Sequence, residues 1–99
     1  MLDARLNKNE TSLTVLLSGR LDTMTSSELD GKLNAQIGGV TELTFDLQGL
    51  EYIASAGLRI LLSAQKTMNR QGSMVIRHVS DEVREIFDVT GFSDIMTIE

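Results

Sequence analysis

The sequence predicts one α/β domain, in which a mixed β-sheet begins with an N-terminal hairpin and continues in β-α units whose helices pack mainly on one face. Three observations predict it. From residue 12 onward, segments of period-two apolar alternation take turns with segments of helical spacing. Strands that alternate with helices imply crossover connections and a largely parallel sheet. The chain has 99 residues, 41% of them apolar, which suffices for one core and leaves no material for a second. The domain is therefore taken to span residues 1–99.

The elements follow in order. Residues 2–6 alternate weakly through Leu2, Ala4 and Leu6, in the manner of an edge strand, and residues 7–10 (NKNE) read as a polar turn. Residues 12–18 (SLTVLLS) form a strand with Leu13, Val15 and Leu17 on one face, pairing with the first as an antiparallel hairpin. Residues 19–22 (GRLD) end it. Thr25-Ser26-Ser27-Glu28 matches a capping box, with the Thr25 hydroxyl at the N-cap and Glu28 at N3. Leu29, Leu33 and Ile37 follow at helical spacing. Gly31 weakens this helix by about 1 kcal/mol relative to Ala, and Gly38-Gly39 stops it.

Residues 43–47 (LTFDL) read as a buried strand, and residues 48–54 as the loop leaving its C-terminal end. A second helix opens at Ser55-Ala56-Gly57 and runs to about Arg70, stopped by Gln71-Gly72. Residues 74–77 form a short strand. Ser80 is placed to cap a third helix over residues 81–89, whose first turn carries Asp81 and Glu82 where the helix dipole favours them. Val83, Ile86 and Phe87 face inward, Gly91 closes the helix, and residues 95–98 complete the order as a last short strand.

Nine basic residues against fourteen acidic ones give a formal charge of −5. That balance argues against nucleic acid and against an anionic membrane surface, both of which reward cationic contacts. The absence of cysteine excludes a disulfide framework and a thiolate metal site. The first ten residues carry no apolar run of the kind a signal peptide or membrane anchor needs. The reading is a soluble cytoplasmic protein.

Few residues are available for catalysis. A hydrolase triad needs a histidine beside a nucleophile, and the one histidine, His78, stands at the end of a short strand. One histidine without cysteine does not make a zinc site. No GxxxxGK[ST] or GxGxxG occurs, so no nucleotide fingerprint is present and no cofactor is indicated. Asp22 and Asp46, at neighbouring strand ends, are the carboxylate pair to weigh for acid–base work. Acidic residues at loop edges are more often solvated.

The second helix is more informative. Wound at about 100° per residue, it places Gly57, Leu58, Ile60, Leu61, Ala64 and Met68 on a core face. Ser55, Arg59, Ser63, Lys66 and Arg70 fall on the other face, with Leu62 at the boundary. That outer stripe is either a solvated basic face or a partner surface, and periodicity leaves both open. Ser55 has two compatible readings. As an N-cap it accepts a first-turn N–H, worth about 1 kcal/mol. As a phospho-acceptor it carries roughly −1.5 to −2 charge at the positive end of the helix dipole.

Gly19-Arg20-Leu21-Asp22, Asp46-Leu47 and residues 52–62 (YIASAGLRILL) together resemble the STAS domain, in particular the bacterial anti-sigma factor antagonist branch. Gly91-Phe92 with Ile95 resembles it too, so the likeness covers nearly the whole chain. The resemblance implies a non-enzymatic partner switch. The unphosphorylated protein binds an anti-sigma factor that is also an ATP-dependent serine kinase, and binding frees the sigma factor. The kinase phosphorylates the antagonist and so releases it, and a PP2C-type phosphatase resets the cycle. The family's phosphoserine falls on Ser55. Its partner surface falls on Asp22, Thr23, Ala56, Gly57 and Arg59, joined by Ala54 and by Leu62 and Lys66 of the outer stripe. The residue before the phosphoserine is commonly Asp or Ser in the family. Ala54 stands there in this chain, so Ser55 is the only hydroxyl of the loop tip. A rival within the same fold is a STAS binding subunit of a transport or stress-sensing assembly, with no phosphorylation cycle.

Overall fold

The computed structural model describes residues 2–99. The chain starts with β1 (Leu2–Asn9) and β2 (Ser12–Leu21), paired antiparallel with Leu2 opposite Gly19 and Asn9 opposite Ser12. The turn is tighter than the polar run NKNE suggests. It falls at Glu10, with φ 57°, and Thr11, while Asn7, Lys8 and Asn9 stay in the ladder. Polar side chains are tolerated there because β1 is an edge strand. Lys8 Nζ also donates to the Gln36 carbonyl at 3.1 Å, tying the edge to the end of the first helix.

The chain continues through α1 (Thr23–Gln36), β3 (Glu42–Ile53), α2 (Ser55–Gln71), β4 (Ser73–Arg77) and α3 (Asp81–Thr90). The sheet order is β1-β2-β3-β4, and β2, β3 and β4 run parallel. Leu13, Val15 and Leu17 of β2 and Leu43, Phe45 and Leu47 of β3 are buried, while the residues between them are only partly so. One face of the sheet therefore carries the core. Leu29 and Leu33 of α1, Leu61 and Met68 of α2 and Val83 and Phe87 of α3 join the same buried cluster. Truncating any of these leucines to Ala costs about 2–5 kcal/mol. Among the described residues no helix is long and apolar enough to cross a membrane.

Three expectations are corrected. First, the cap of α1 is Asp22, not Thr25. Thr25 does belong to a capping box, but at its N3 position, because the helix starts one turn earlier than the apolar spacing suggested. Second, β3 does not give way to a loop after Leu47. It stays paired with β2 as far as Ile53, through two register shifts. Leu16 to Leu21 takes five steps along β2 while Asp46 to Ile53 takes seven along β3, so β3 carries two extra, bulged residues. Burial along this stretch falls on Leu47, Leu50 and Ile53, a spacing of three that breaks the alternation by which a strand is recognised. At Gly49 an added Cβ would lie 2.5 Å from Ser18 Cβ, so the bulge brings the two backbones too close for any side chain.

Third, the last strand reduces to an isolated parallel bridge between Ile98 and Ile76. Gly91 ends α3 in the left-handed region, and a 3₁₀ turn over Phe92–Asp94 occupies the chain before it reaches the sheet. The second helix matches its reading: Gly57, Leu58, Ile60, Leu61, Ala64 and Met68 are its buried residues. At its far end Gln71 Nε2 donates to the Ile37 and Val40 carbonyls at 2.8 and 2.7 Å, sealing the exit of α1.

Candidate functional site

The site is built where two parallel strands finish together. Leu21 stands opposite Ile53, and the next residues open α1 and α2. The Ala54 N–H donates to the Leu21 carbonyl at 2.8 Å, which fixes the two helix starts side by side.

At the first start Asp22 is heavily engaged. Its Oδ1 accepts from the Thr25 N–H at 2.9 Å, the Met24 N–H at 3.0 Å and the Thr25 hydroxyl at 3.1 Å. The Asp22 N–H in turn donates to Thr25 Oγ1 at 2.9 Å. The Ser26 hydroxyl, nearly fully buried, donates to the Asp22 carbonyl. The Thr25 N–H bond, helped by the Thr25 hydroxyl and the Met24 N–H, holds the Asp22 carboxyl below its ordinary value. The residue read as a partner contact is therefore first a cap that orients its helix.

The second start is different. Ala54 is its N-cap, with φ −90° and ψ 172°, and provides no side-chain hydrogen bond. Ser55 is already the first helical residue, and it is exposed. The reading of Ser55 as a side-chain cap is thus overturned, because the extended cap geometry is taken by a residue with no oxygen to offer. The first intrahelical bond runs from the Leu58 N–H to the Ala54 carbonyl at 3.1 Å. The first-turn N–H groups before it point out of the helix end beside an exposed hydroxyl.

Gly57 faces inward and is buried. A Cβ there would lie 2.8 Å from Ile53 Cγ1 and 2.8 Å from Leu21 Cδ2. Expected on the partner-facing surface, Gly57 instead lets α2 approach the strand ends. Ala54 and Ala56 are partly exposed, Thr23, Arg59 and Lys66 are exposed, and Leu62 is half-buried against the core.

Between the two helices lies an open groove of about 380 Å³. Thr23, Ser26, Ser27 and Asp30 form its α1 wall, and Ala56, Arg59, Ile60 and Ser63 its α2 wall. The structure brings Thr23, Ala56 and Arg59 together there. Leu62 and Lys66 stay on the outer side of α2, and Arg59 stands at the seam between the two stripes. Next in the chain to Thr23, Met24 is 83% exposed, an apolar side chain held out to solvent. Of the α1 wall only Thr23 was picked out in the sequence; Ser26, Ser27 and Asp30 were missed, although positions 23, 26, 27 and 30 fall at the i, i+3, i+4, i+7 spacing of one helix face.

Asp22 and Asp46 do not meet. Asp46 lies opposite Leu16, roughly 20 Å down the sheet from the Leu21–Ile53 end at about 3.3 Å per residue. Its Oδ1 is 3.0 Å from His78 Nδ1 and accepts the Gln48 N–H at 3.1 Å. The strand-end histidine is exposed, with φ 57°. Among the described residues no three metal-ligating side chains converge.

The architecture and sequence have clear relatives. The family model described as "Mlab, STAS domain" matches residues 4–98. The BtrV protein of Bordetella bronchiseptica is 33% identical over 95 residues, covering 94% of this chain and 82% of BtrV. The anti-sigma-B factor antagonist of Bacillus subtilis is 26% identical over 98 residues, covering 98% of this chain and 90% of that protein. Among solved structures, the anti-sigma factor antagonist SpoIIAA in its unphosphorylated form superposes with a TM-score of 0.85 at 21% identity, covering 98% of this chain and 88% of that one. SpoIIAA of Bacillus in its phosphorylated form gives a TM-score of 0.78 at 20% identity, over 98% and 91% of the two chains. With its four-stranded mixed sheet, its bulged third strand and its paired helix starts, this chain belongs to the STAS domain family.

Proposed function

We propose that this chain is an anti-sigma factor antagonist that works by phosphorylation-controlled partner switching in the cytoplasm. Its partner is an anti-sigma factor with ATP-dependent serine kinase activity. The unphosphorylated chain binds that partner through the groove and the outer stripe of α2, and the sigma factor is released. The kinase then transfers the ATP γ-phosphoryl group to Ser55 Oγ, the hydroxyl proton leaves, and ADP is the other product. A PP2C-type phosphatase hydrolyses the phosphoserine and restores the binding form. The chain itself contributes an acceptor and a surface; the transfer chemistry belongs to the partner.

The observation that carries this reading is the position of Ser55. It is an exposed hydroxyl on the first turn of a helix whose N-terminus has no side-chain cap, beside a groove between two helices. A phosphate there meets the positive end of the dipole, so the fold stands while the surface changes. The relatives named as anti-sigma-B factor antagonists support the same reading.

The test uses the anti-sigma kinase from the same source, titrated against the parent chain and Ser55→Asp. The parent binds, and Ser55→Asp loses binding with an unchanged melting temperature. Equal binding by both defeats the switch and leaves a STAS binding subunit without a phosphorylation cycle.

A further inference from the structure

On the outer stripe of α2 the cations Arg59, Lys66 and Arg70 are unpaired among the described residues, and of these only Arg59 lines the groove. Among the described residues the Arg59 guanidinium makes no hydrogen bond and no ion pair, although Arg5, Arg77 and Arg84 each have a carboxylate partner. Arg59 is exposed and lines the groove opposite Thr23 and Asp30. It lies four residues after Ser55 on the same helix. That spacing places it about 6 Å further along the axis and on nearly the same face, the geometry in which side chains of opposite charge pair.

We propose that Arg59 is the intramolecular partner of a phosphate on Ser55, so that phosphorylation draws its guanidinium out of the groove and onto the helix tip. The inference rests on the reading of Ser55 as the phosphorylated residue. It adds how the modification reaches the groove: one cation is offered to a carboxylate of the partner in the unphosphorylated chain and is occupied in the phosphorylated one. A guanidinium holds a phosphate through two parallel N–H bonds, which an exposed partner carboxylate matches only when the phosphate is absent.

The neighbouring charges favour this pairing. The first turn of α2 contains no acidic residue to compete. The Asp22 carboxylate is held through Oδ1 by Met24 and Thr25 and makes no ion pair with Arg59. Arg20, the other cation near the strand ends, lies 4.4 Å above the Tyr52 ring. Lys66 is eleven residues beyond Ser55, roughly 16 Å along the helix, and Arg70 is further still. Asp30, across the groove, is the one acid among the groove-lining residues and makes no ion pair with Arg59.

The experiment places phosphoserine at position 55 during synthesis, in the full chain and in Arg59→Gln and Arg59→Lys, and follows the second ionisation of the phosphate by phosphorus NMR. Pairing with Arg59 favours the dianion. The parent phosphate therefore ionises lower than in Arg59→Gln by about half a pH unit, and Arg59→Lys restores most of that difference. The Arg59 Nε–H proton moves downfield in the phosphorylated parent. Superposed titration curves for the parent and Arg59→Gln, with no movement of that proton, overturn the proposal and assign the phosphate to the helix end alone. No kinase takes part, so a chain that its kinase fails to modify defeats the proposed function without changing this measurement.

Discussion

The Leu21 carbonyl accepts the Ala54 N–H at 2.8 Å, and this bond sets the start of α2 beside the start of α1. Leu21 is the last residue of β2 and Ala54 the residue after β3. The two bulged residues of β3 are what bring Ile53 level with Leu21. The position of Ser55 thus depends on strand register rather than on a flexible loop, and consequences follow for residues on both sides of the joint.

Gly57 is the tightest point of that joint, with Leu21 and Ile53 side chains 2.8 Å from where a Cβ would stand. Both neighbours are buried and have little room to retreat. Gly57→Ala is expected to destabilise the fold by about 1–3 kcal/mol through overpacking, read as a lower urea midpoint. Ala56→Gly, one position away and partly exposed, shifts the midpoint by no more than about 1 kcal/mol. Equal effects would contradict the packing role given to Gly57.

Asp22 gives a pH signature. Its folded carboxyl is held below the ordinary value by the Thr25 N–H, the Thr25 hydroxyl and the Met24 N–H. A depressed folded value means that the ionised form supports the fold. That support is complete above the unfolded value and is lost as pH falls through the folded one. Asp22→Asn keeps an acceptor without the charge. Its melting temperature is expected below the parent's at neutral pH, and the gap should begin to narrow as pH falls below about 4 and close only once pH is below the depressed folded value. A gap independent of pH would remove the charge from the account.

Gln71 is expected to matter more than its place at the end of α2 suggests. Its side chain bridges the Ile37 and Val40 carbonyls. Gln71→Ala leaves both without that donor and costs about 1–2 kcal/mol in urea denaturation. A neutral result would mean that water replaces the bridge.

Gly31 offers the opposite sign. It lies within α1, is exposed, and an added Cβ meets nothing within 4 Å. Gly31→Ala is expected to stabilise the chain by about 0.5–1 kcal/mol, because the substitution removes unfolded-state freedom at a helical position. Thermal melts of the two chains check it.

What was legible in the sequence follows from periodicity. The core face of α2 was readable residue by residue, because its six inward positions recur at helical spacing without interruption. Ser80 as the cap of α3 was readable for a similar reason: it precedes two acids and an amphipathic run, and it does accept the Val83 N–H. The far half of β3 was not readable. Bulges change which residues face the core, and a spacing of three resembles neither strand nor helix. The cap of α1 was misplaced because Asp22 and Thr25 both carry oxygens suited to an N-cap, and only the register with β3 decides between them. Ser55 was singled out through its motif, and its lack of a capping role was not readable because it depends on Ala54 taking the extended cap geometry.

The most direct measurement is phosphosite mapping after incubating the chain with ATP and the anti-sigma kinase proposed as its partner. The account predicts one added phosphate, on Ser55, and none on Ser55→Ala. Phosphate on Ser63 or Ser73 with Ser55 unmodified would contradict it, as would an unmodified chain under conditions in which the kinase is active.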